Sequence, residues 1–216
     1  MNILEELRKA GAVYIDQHFV YKSGKHGSGY INMDPLFTSI PLLKDIGFVL
    51  SRPFWREGYD TVAAPATGGI VLAMATADQS PKTSSGSPAL VWADKQGNDL
   101  FFERAGFTDH RVGKRVLVVE DLLTTGGSVF KVCREAEKQG AQVIGVSAIC
   151  NRGGITAADL GVTRLESIVE VSFEAGDADK CRHCKQAVPI VEEIGHGAEY
   201  KQAEPDETGR AVQRLE

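Results

Sequence analysis

The chain has 216 residues, 43% of them hydrophobic, which is enough to bury one substantial core and predicts a globular protein. Its formal net charge is -5 and no block of Lys and Arg interrupts the sequence, which argues against a nucleic-acid partner held through its phosphates. No apolar run reaches the length of a membrane span, and residues 1–10 mix charged residues into the apolar pattern, unlike a signal peptide.

The first part of the chain predicts two helices, a hairpin and a strand. Apolar residues recur at helical spacing over residues 3–13, which predicts an amphipathic helix that ends near Gly11. Residues 18–32 are polar and rich in glycine, which favours a hairpin or a loop over a helix. Residues 41–55 are predicted to be helical, and residues 61–64 to form a short buried strand.

Helices and strands then alternate, a pattern typical of a parallel α/β sheet. The predicted helices are residues 69–77 and 128–139, and the predicted strands are residues 89–93, 116–119 and 143–150. Residues 80–87 form a connector of Ser, Pro and Gly, and residues 94–114 are a long polar segment without a clear period. A loop of that length inside a compact domain usually has a function, while the polar tail at 203–216 is expected to be disordered.

The most informative stretch is the apolar run at residues 116–119, which leads directly into Glu120 and Asp121. A continuous apolar strand is buried on both faces of a parallel sheet, so the carboxylates at its end lie where such sheets bind ligands. Carboxylates accept hydrogen bonds from sugar hydroxyls. We therefore interpret the two acids as a sugar-binding pair, with a solvated surface pair as the alternative.

Five small residues follow the acid pair, and their backbone N–H groups can converge on a phosphate. They are Thr124, Thr125, Gly126, Gly127 and Ser128. Ser128 is expected to cap the next helix, whose positive amino-terminal end also attracts anions. Acid pair and turn together predict a sugar-phosphate ligand, and the alternative is a tight strand-to-helix turn. The phosphate-binding loop of nucleotide hydrolases and the glycine motif of dinucleotide-binding proteins are both absent.

Residues 118–121 and 124–128 resemble the signature of the type I phosphoribosyltransferases, which binds phosphoribosyl pyrophosphate (PRPP). Further stretches resemble the orotate phosphoribosyltransferases within that group. Residues 19–32 resemble the family's amino-terminal segment over the base site, and residues 65–70 resemble its pyrophosphate-binding loop. Residues 151–152, Asn and Arg, resemble the dipeptide after the last core strand, in which the Arg contacts the orotate carboxylate.

The resemblance implies an α/β fold, a type I phosphoribosyltransferase core with a central, mainly parallel sheet flanked by helices. A small hood, mainly residues 1–35 and 165–202, completes a single domain over residues 1–202. It also implies the reaction, in which the 5-phosphoribosyl group of PRPP is transferred to orotate. The products are orotidine monophosphate and pyrophosphate, as in de novo pyrimidine biosynthesis. The implied working unit is a homodimer whose catalytic loop is shared across subunits.

Two other functions remain open. The first is phosphoribosyl transfer to a different base, and the second is a non-catalytic regulator that senses PRPP. A DNA-binding regulator is disfavoured because the sequence has neither an appended helix pair nor a basic face.

The resemblance also assigns roles around PRPP. Glu120 and Asp121 hold the ribose hydroxyls and stabilise the positive charge that develops as pyrophosphate leaves, while residues 124–128 bind the 5-phosphate. Thr67 and Gly68 belong to the pyrophosphate-binding loop. Mg²⁺ prefers phosphate oxygens and retained waters, so we expect it to be held mainly by PRPP and water, without dedicated protein ligands.

Lys95 heads the long polar segment, where the family has a catalytic lysine on a loop that closes over a neighbouring subunit's site. Many relatives carry an Arg before this Lys and further Lys and His residues after it. This chain has Asp94 before it, and Asn98 and Leu100 after it. Arg104 is expected to supply part of the missing positive charge. Without the resemblance, Lys95 would be interpreted as a solvated surface residue.

Lys22 and Arg152 are the candidates for the base site, because the planar fork of an Arg can bind the orotate carboxylate through two hydrogen bonds. Tyr30 and Ile31 occupy positions that form the floor of the base pocket in the family. The alternatives are a surface Arg at a strand end and a hairpin that is simply packed.

The four cysteines do not form a secreted disulfide framework, and we expect a cytoplasmic protein. Cys181 and Cys184 form a single C-x-x-C with His183 between them and His196 later, in a segment that resembles one branch of the family. A structural zinc site needs four ligands, so one cysteine pair is weak evidence. Reduced thiols are therefore favoured over a metal site.

Overall fold

The protein is represented by a computed structural model that describes residues 3–82, 86–104, 106–107 and 114–202. The tail at 203–216 that the sequence predicts to be disordered lies outside these residues. Within them, no helix combines the length and the apolar character needed to cross a bilayer. The chain folds as two compact units, one built from residues 3–6 and 33–172, the other from residues 7–32 and 173–202.

Strands and helices alternate through the middle of the chain. The strands are β1 (Val13–Val20), β2 (His26–Ile31), β3 (Thr61–Pro65), β4 (Ala89–Gln96), β5 (Asp99–Phe101), β6 (Arg115–Leu123), β7 (Gln142–Asn151), β8 (Leu165–Glu170) and β9 (Ala175–Gly176). The α-helices are α1 (Ile3–Lys9), α2 (Ile40–Ser51), α3 (Gly68–Asp78), α4 (Gly127–Lys138), α5 (Ala157–Leu160), α6 (Arg182–Lys185) and α7 (Gly197–Gln202). Short 3-10 helices span Asp34–Thr38 and Arg52–Phe54.

A six-stranded sheet in the order β5-β4-β3-β6-β7-β8 forms the centre of the first unit. Every neighbouring pair is parallel except β4 and β5, which form an antiparallel hairpin. Strands β3 and β6 occupy the middle because their apolar runs are buried on both faces, as parallel sheets require. The predicted α/β class with a central, mainly parallel sheet is confirmed.

Helices cover the central strands of this unit. Val129, Val132 and Cys133 of α4 pack against one face of the sheet and are buried. Helix α2 crosses α3 so closely that a Cβ on Gly47 would lie 2.4 Å from the carbonyl oxygen of Ala75. Only glycine fits at this crossing, so the sequence specifies the contact between the two helices.

The second unit contains a three-stranded antiparallel sheet in the order β1-β2-β9. Its buried apolar side chains come from residues 7–32 and include Leu7, Phe19 and Val20. Residues 173–202 contribute no buried apolar side chain within the part of the chain that the structure describes, and their buried side chain is His183. The two segments of this unit therefore share little apolar core.

Several predicted boundaries were wrong. Strand β1 begins at Val13, so the hairpin starts five residues earlier than the predicted residue 18. Part of the predicted loop at 94–114 is regular, because β4 continues to Gln96 and turns back into β5, while residues 105 and 108–113 lie outside the described part. The sequence analysis also missed β8, whose residues are mostly only half-buried at the sheet edge.

Candidate active site

The carboxyl ends of four neighbouring parallel strands meet at one edge of the six-stranded sheet. Sequence-predicted residues lie at each of these ends: Lys95 in β4, Thr67 and Gly68 after β3, Glu120 and Asp121 in β6, and Arg152 directly after β7. Open α/β sheets bind ligands at this edge. The fold thus brings together residues that are separated by as many as 85 positions in the sequence.

The acid pair lies inside β6, which continues to Leu123, and the prediction that the two acids follow the strand was wrong. Side chains alternate along a strand, so Glu120 and Asp121 point to opposite faces of the sheet. Glu120 is only 8% exposed. Asp121 is half-buried, and its Oδ2 would lie 3.1 Å from a Cβ on Gly68, so this carboxylate adjoins the predicted pyrophosphate-binding loop.

Burial, together with the neighbouring Asp121 carboxylate, raises the pKa of Glu120 to about 9. At neutral pH the Glu120 side chain is therefore a neutral carboxylic acid when no ligand is bound. A neutral acid can donate one hydrogen bond and accept others, and a hydroxyl-rich ligand can use both.

The turn after β6 is shaped by Gly126, which has a φ of 72° in the left-handed region. A Cβ there would also lie 2.9 Å from Leu160, so a larger residue would be both strained and crowded. Gly126 is the N-cap of α4, and the prediction that Ser128 caps this helix was wrong because Ser128 is its second residue. Thr125 Oγ1 accepts a 3.4 Å hydrogen bond from the Gly127 N–H.

A concave pocket of about 40 Å³ lies over this turn and is lined by residues 122–129 together with Glu120. The N–H groups in the first turn of a helix have no carbonyl partner within that helix, and the helix dipole adds positive potential there. The pocket therefore suits an anionic group beside a group that can bind to Glu120.

A larger cleft of about 320 Å³ joins the same turn to the β4–β5 hairpin. Its lining residues are Ala66, Lys95, Asn98, Leu100, Thr125, Gly127, Ser128 and Lys131. Two lysines, Lys95 and Lys131, line this cleft and give it positive charge that suits a polyphosphate.

Lys131 is a cleft residue that the sequence analysis missed. It lies one helical turn after Ser128, so the i, i+3 spacing on α4 could have identified it. Its ammonium group lies 3.6 Å from the Asp99 carboxylate and donates to the carbonyl oxygen of Asn98. Lys131 thereby links α4 to the tip of the hairpin that carries Lys95.

Lys95 lies in β4, opposite Leu100 of β5, so the prediction that it heads an irregular loop was wrong. The preceding residue, Asp94, forms a 3.0 Å ion pair with Arg104. The guanidinium of Arg104 also stacks 4.8 Å from the ring centroid of Trp92. Arg104 therefore contacts the acid beside Lys95, and its contribution of charge to the site stays a prediction.

Arg152 is positioned by the backbone at the end of β7. Its N–H donates a 2.8 Å hydrogen bond to the Leu123 carbonyl, which joins the ends of β6 and β7. Asn151 closes the following turn, since its side chain accepts from the Ile155 N–H and donates to the Ile155 carbonyl oxygen. The predicted Asn-Arg dipeptide thus combines a turn-forming amide with a half-buried guanidinium.

The other predicted base-site residues belong to the second unit. Lys22 is exposed in the turn between β1 and β2. Tyr30 is half-buried, with its ring centroid 5.4 Å from that of Phe19. Ile31 is buried and pairs with Val13.

Comparisons with known proteins show what the sequence and the fold are similar to. Residues 50–175 match a family model described as a phosphoribosyl transferase domain. The orotate phosphoribosyltransferase of Thermus thermophilus is 34% identical over 192 residues, which cover 89% of this chain and 100% of that protein. The enzyme of the same name from Thermotoga maritima is 33% identical, over 87% of this chain and 94% of its own length.

Among solved structures, the orotate phosphoribosyltransferase of Mycobacterium tuberculosis has a TM-score of 0.63 and 20% identity, over 78% of this chain and 94% of that one. At this identity the structural likeness supports the fold, while the two curated relatives carry the assignment to a family. The chain belongs to the orotate phosphoribosyltransferase family.

Proposed function

We propose that this chain transfers the 5-phosphoribosyl group of PRPP to orotate, forming orotidine monophosphate and pyrophosphate in pyrimidine biosynthesis. The observation that carries the proposal is the meeting of an acid pair, a small-residue turn, a lysine and an arginine at one sheet edge. These groups match the ribose, the 5-phosphate, the pyrophosphate and the orotate carboxylate in turn.

The 5-phosphate would bind over residues 124–128, where the first-turn N–H groups and the dipole of α4 favour an anion. This position leaves the ribose hydroxyls beside the end of β6. Asp121 is the more exposed acid of the pair and accepts hydrogen bonds as a carboxylate, while the buried Glu120 is neutral until a ligand or cation draws out its proton.

In the reaction, the bond from the anomeric carbon to pyrophosphate breaks as the bond to the orotate ring nitrogen forms, and that nitrogen releases its proton. Positive charge develops on the ribose while the electron pair leaves with pyrophosphate. Asp121 stabilises the positive charge, and the cleft lysines stabilise the departing anion. The Asp121 carboxylate adjoins Gly68. The positive charge on the ribose would therefore develop at the end of β6, while the pyrophosphate anion would leave beside the loop after β3.

Mg²⁺ prefers phosphate and hydroxyl oxygens with retained waters, so it would be held mainly by PRPP oxygens and water, without dedicated protein ligands. When bound, Mg²⁺ neutralises charge on the pyrophosphate group. The Asp121 carboxylate lies close enough to Gly68 to contact the same substrate.

Arg152 would bind the orotate carboxylate, because a guanidinium forms two parallel hydrogen bonds with that group. The roles of Lys22, Tyr30 and Ile31 at the base stay predictions. The working form would be a cytoplasmic homodimer that shares its Lys95 segment across subunits.

The proposal is tested by following the loss of orotate absorbance with PRPP and Mg²⁺ present. We expect PRPP-dependent conversion of orotate and no product from uracil, hypoxanthine or adenine, which lack the carboxylate that Arg152 would bind. Absence of any PRPP-dependent change would reject the proposed function. Conversion of another base in preference to orotate would reject the assignment of Arg152.

A further inference from the structure

Two histidines and two cysteines that are far apart in the sequence converge in the second unit. They are His18 of β1, His26 of β2, and Cys181 and Cys184 at the start of α6. One side-chain atom from each lies within 4.8 Å of the corresponding atom of every other. Both histidines are buried, and both cysteines are free thiols that are partly buried.

Three of the distances between these atoms match those around a single tetrahedral ion. With Zn–S of about 2.3 Å and Zn–N of about 2.0–2.1 Å, tetrahedral geometry places neighbouring ligand atoms about 3.3–3.8 Å apart. His18 Nε2 lies 3.5 Å from Cys184 Sγ and 3.7 Å from Cys181 Sγ, and His26 Nδ1 lies 3.3 Å from Cys184 Sγ. The two ring nitrogens are closer, at 2.9 Å, so binding an ion requires them to separate slightly.

The hydrogen bonds around His18 favour a ligand role. Its Nδ1 lies 2.7 Å from the Val188 carbonyl oxygen, so Nδ1 carries the hydrogen and Nε2 presents its lone pair to the cluster. Histidines that bind metals usually donate their second ring N–H to a carboxylate or a carbonyl in this way. The tautomer that the backbone selects is therefore the one that a metal needs.

The packing of the second unit gives such an ion a role. Residues 173–202, as far as the structure describes them, add no buried apolar side chain to this unit. Half-buried Phe173 packs over Gly29, and the Tyr200 ring centroid lies 4.8 Å from that of His26. The other contacts with the hairpin include backbone bonds, such as Val191 N–H to the His18 carbonyl, and the exposed ion pair of Arg182 with Asp16. A segment without its own core needs another link, and small domains often use a metal.

We propose that His18, His26, Cys181 and Cys184 form a structural zinc site that links residues 173–202 to the β1–β2 hairpin. Two thiolates and two imidazoles in a compact set favour Zn²⁺ over the hard cations Mg²⁺ and Ca²⁺. Four protein ligands leave no open position, so the ion stabilises the fold and does not bind substrate. The two histidines supply the ligands that the single C-x-x-C lacked in the sequence analysis.

The first test is the metal content of the wild-type protein after expression with zinc and purification under reducing conditions. We expect about one zinc ion per chain, and replacement by Co²⁺ should give the strong visible absorption and the thiolate charge-transfer bands of a tetrahedral site. A chain that stays metal-free after incubation with Zn²⁺, or that holds a Cys181–Cys184 disulfide and binds no zinc once reduced, would overturn the proposal.

The second test compares Cys184→Ser with His196→Gln, a control in the same segment. His196 lies outside the cluster and faces Glu199 at 3.7 Å. We expect Cys184→Ser to weaken zinc binding by more than the roughly 10- to 100-fold that losing an outer-shell partner costs, and His196→Gln to leave it unchanged. Equal zinc affinity in both variants would refute the assignment.

The third measurement does not depend on any variant folding. Removing zinc from the wild-type protein with a chelator should lower its melting temperature and make residues 173–202 more sensitive to protease, and restoring zinc should reverse both changes. If the zinc-loaded and chelated proteins melt and are cleaved alike, the ion has no structural role and the proposal fails. None of these measurements depends on transferase activity.

Discussion

The ends of β6 and β4 lie at the same sheet edge but differ in their surroundings. Strand β6 is in the middle of the sheet between two parallel neighbours, and its end carries the nearly buried Glu120. Strand β4 instead forms a short antiparallel hairpin with the edge strand β5, and Lys95 is exposed in the β4 part of that hairpin. The first end is held by packing, whereas the second is held by surface contacts such as the Lys131–Asp99 ion pair.

The two strand ends are therefore suited to different steps of the reaction. A buried strand end can hold the ribose and the 5-phosphate in place before the reaction, which lowers the cost of orienting the substrate. An exposed hairpin can instead move toward the departing pyrophosphate and away again. We therefore expect changes at β6 to affect PRPP binding and changes at β4 to affect turnover.

The largest effect should follow from Lys95→Ala. Removing a cation that stabilises the departing pyrophosphate should lower kcat by about 10²- to 10³-fold. The dissociation constant of PRPP should change by less than about tenfold, because Lys95 is exposed in the ligand-free protein. Steady-state kinetics and calorimetry would separate the two effects. Lys138→Ala, at the far end of α4, is the control, and equal losses of turnover and binding in Lys95→Ala would show that its role is misassigned.

Asp121→Asn should act mainly on binding. Hydrogen bonds to a charged group contribute about 1.5–3 kcal/mol, so losing the charge should weaken PRPP binding by about 10- to 100-fold. Asp78→Asn at the end of α3 is a control that keeps the same change in net charge away from the site. Isothermal titration of PRPP with Mg²⁺ checks the result, and unchanged affinity in Asp121→Asn would contradict a ribose contact.

The raised pKa of Glu120 predicts that the stability of the protein depends on pH. Its pKa is about 9 in the folded protein against an ordinary value of 4.5, so the folded chain holds a proton that the unfolded chain releases. The contribution of Glu120 to the free energy of unfolding should therefore be fully present below pH 4.5 and be lost as the pH rises toward about 9, by at most about tenfold in the folding equilibrium per pH unit.

Glu120→Gln removes this titration while keeping a side chain of similar shape. Urea unfolding of both proteins at about pH 6 and about pH 8 should show a larger loss of stability in the wild type than in the variant. Parallel behaviour of the two proteins would mean that Glu120 is ionised in the folded state.

The smallest effect should come from Asp94→Asn. The change releases Arg104 from its ion pair and removes a negative charge beside Lys95. Exposed ion pairs contribute about 0–1 kcal/mol, so we expect kcat to rise by no more than about fivefold. Asp99→Asn, which disrupts the Lys131 contact at the tip of the hairpin, should not raise kcat. A fall in kcat for Asp94→Asn would show that the Asp94–Arg104 pair supports the active conformation.

Local patterns in the sequence predicted the sheet and the phosphate turn. Strand β6 was recognisable because four consecutive apolar residues precede the acids, and the phosphate turn because five small residues follow them. Strand β8 was missed because a half-buried edge strand has no strong apolar pattern. The convergence of His18 and His26 with Cys184 depends on tertiary contacts, which a local sequence pattern does not show. Lys131 was missed although its i, i+3 spacing from Ser128 on α4 could have identified it.

A crystal structure of the protein with PRPP and Mg²⁺ bound tests the central claim most directly. The account predicts the 5-phosphate over residues 124–128 and the ribose hydroxyls within hydrogen-bonding distance of Glu120 and Asp121. A 5-phosphate bound elsewhere, or ribose hydroxyls that contact neither acid, would contradict it.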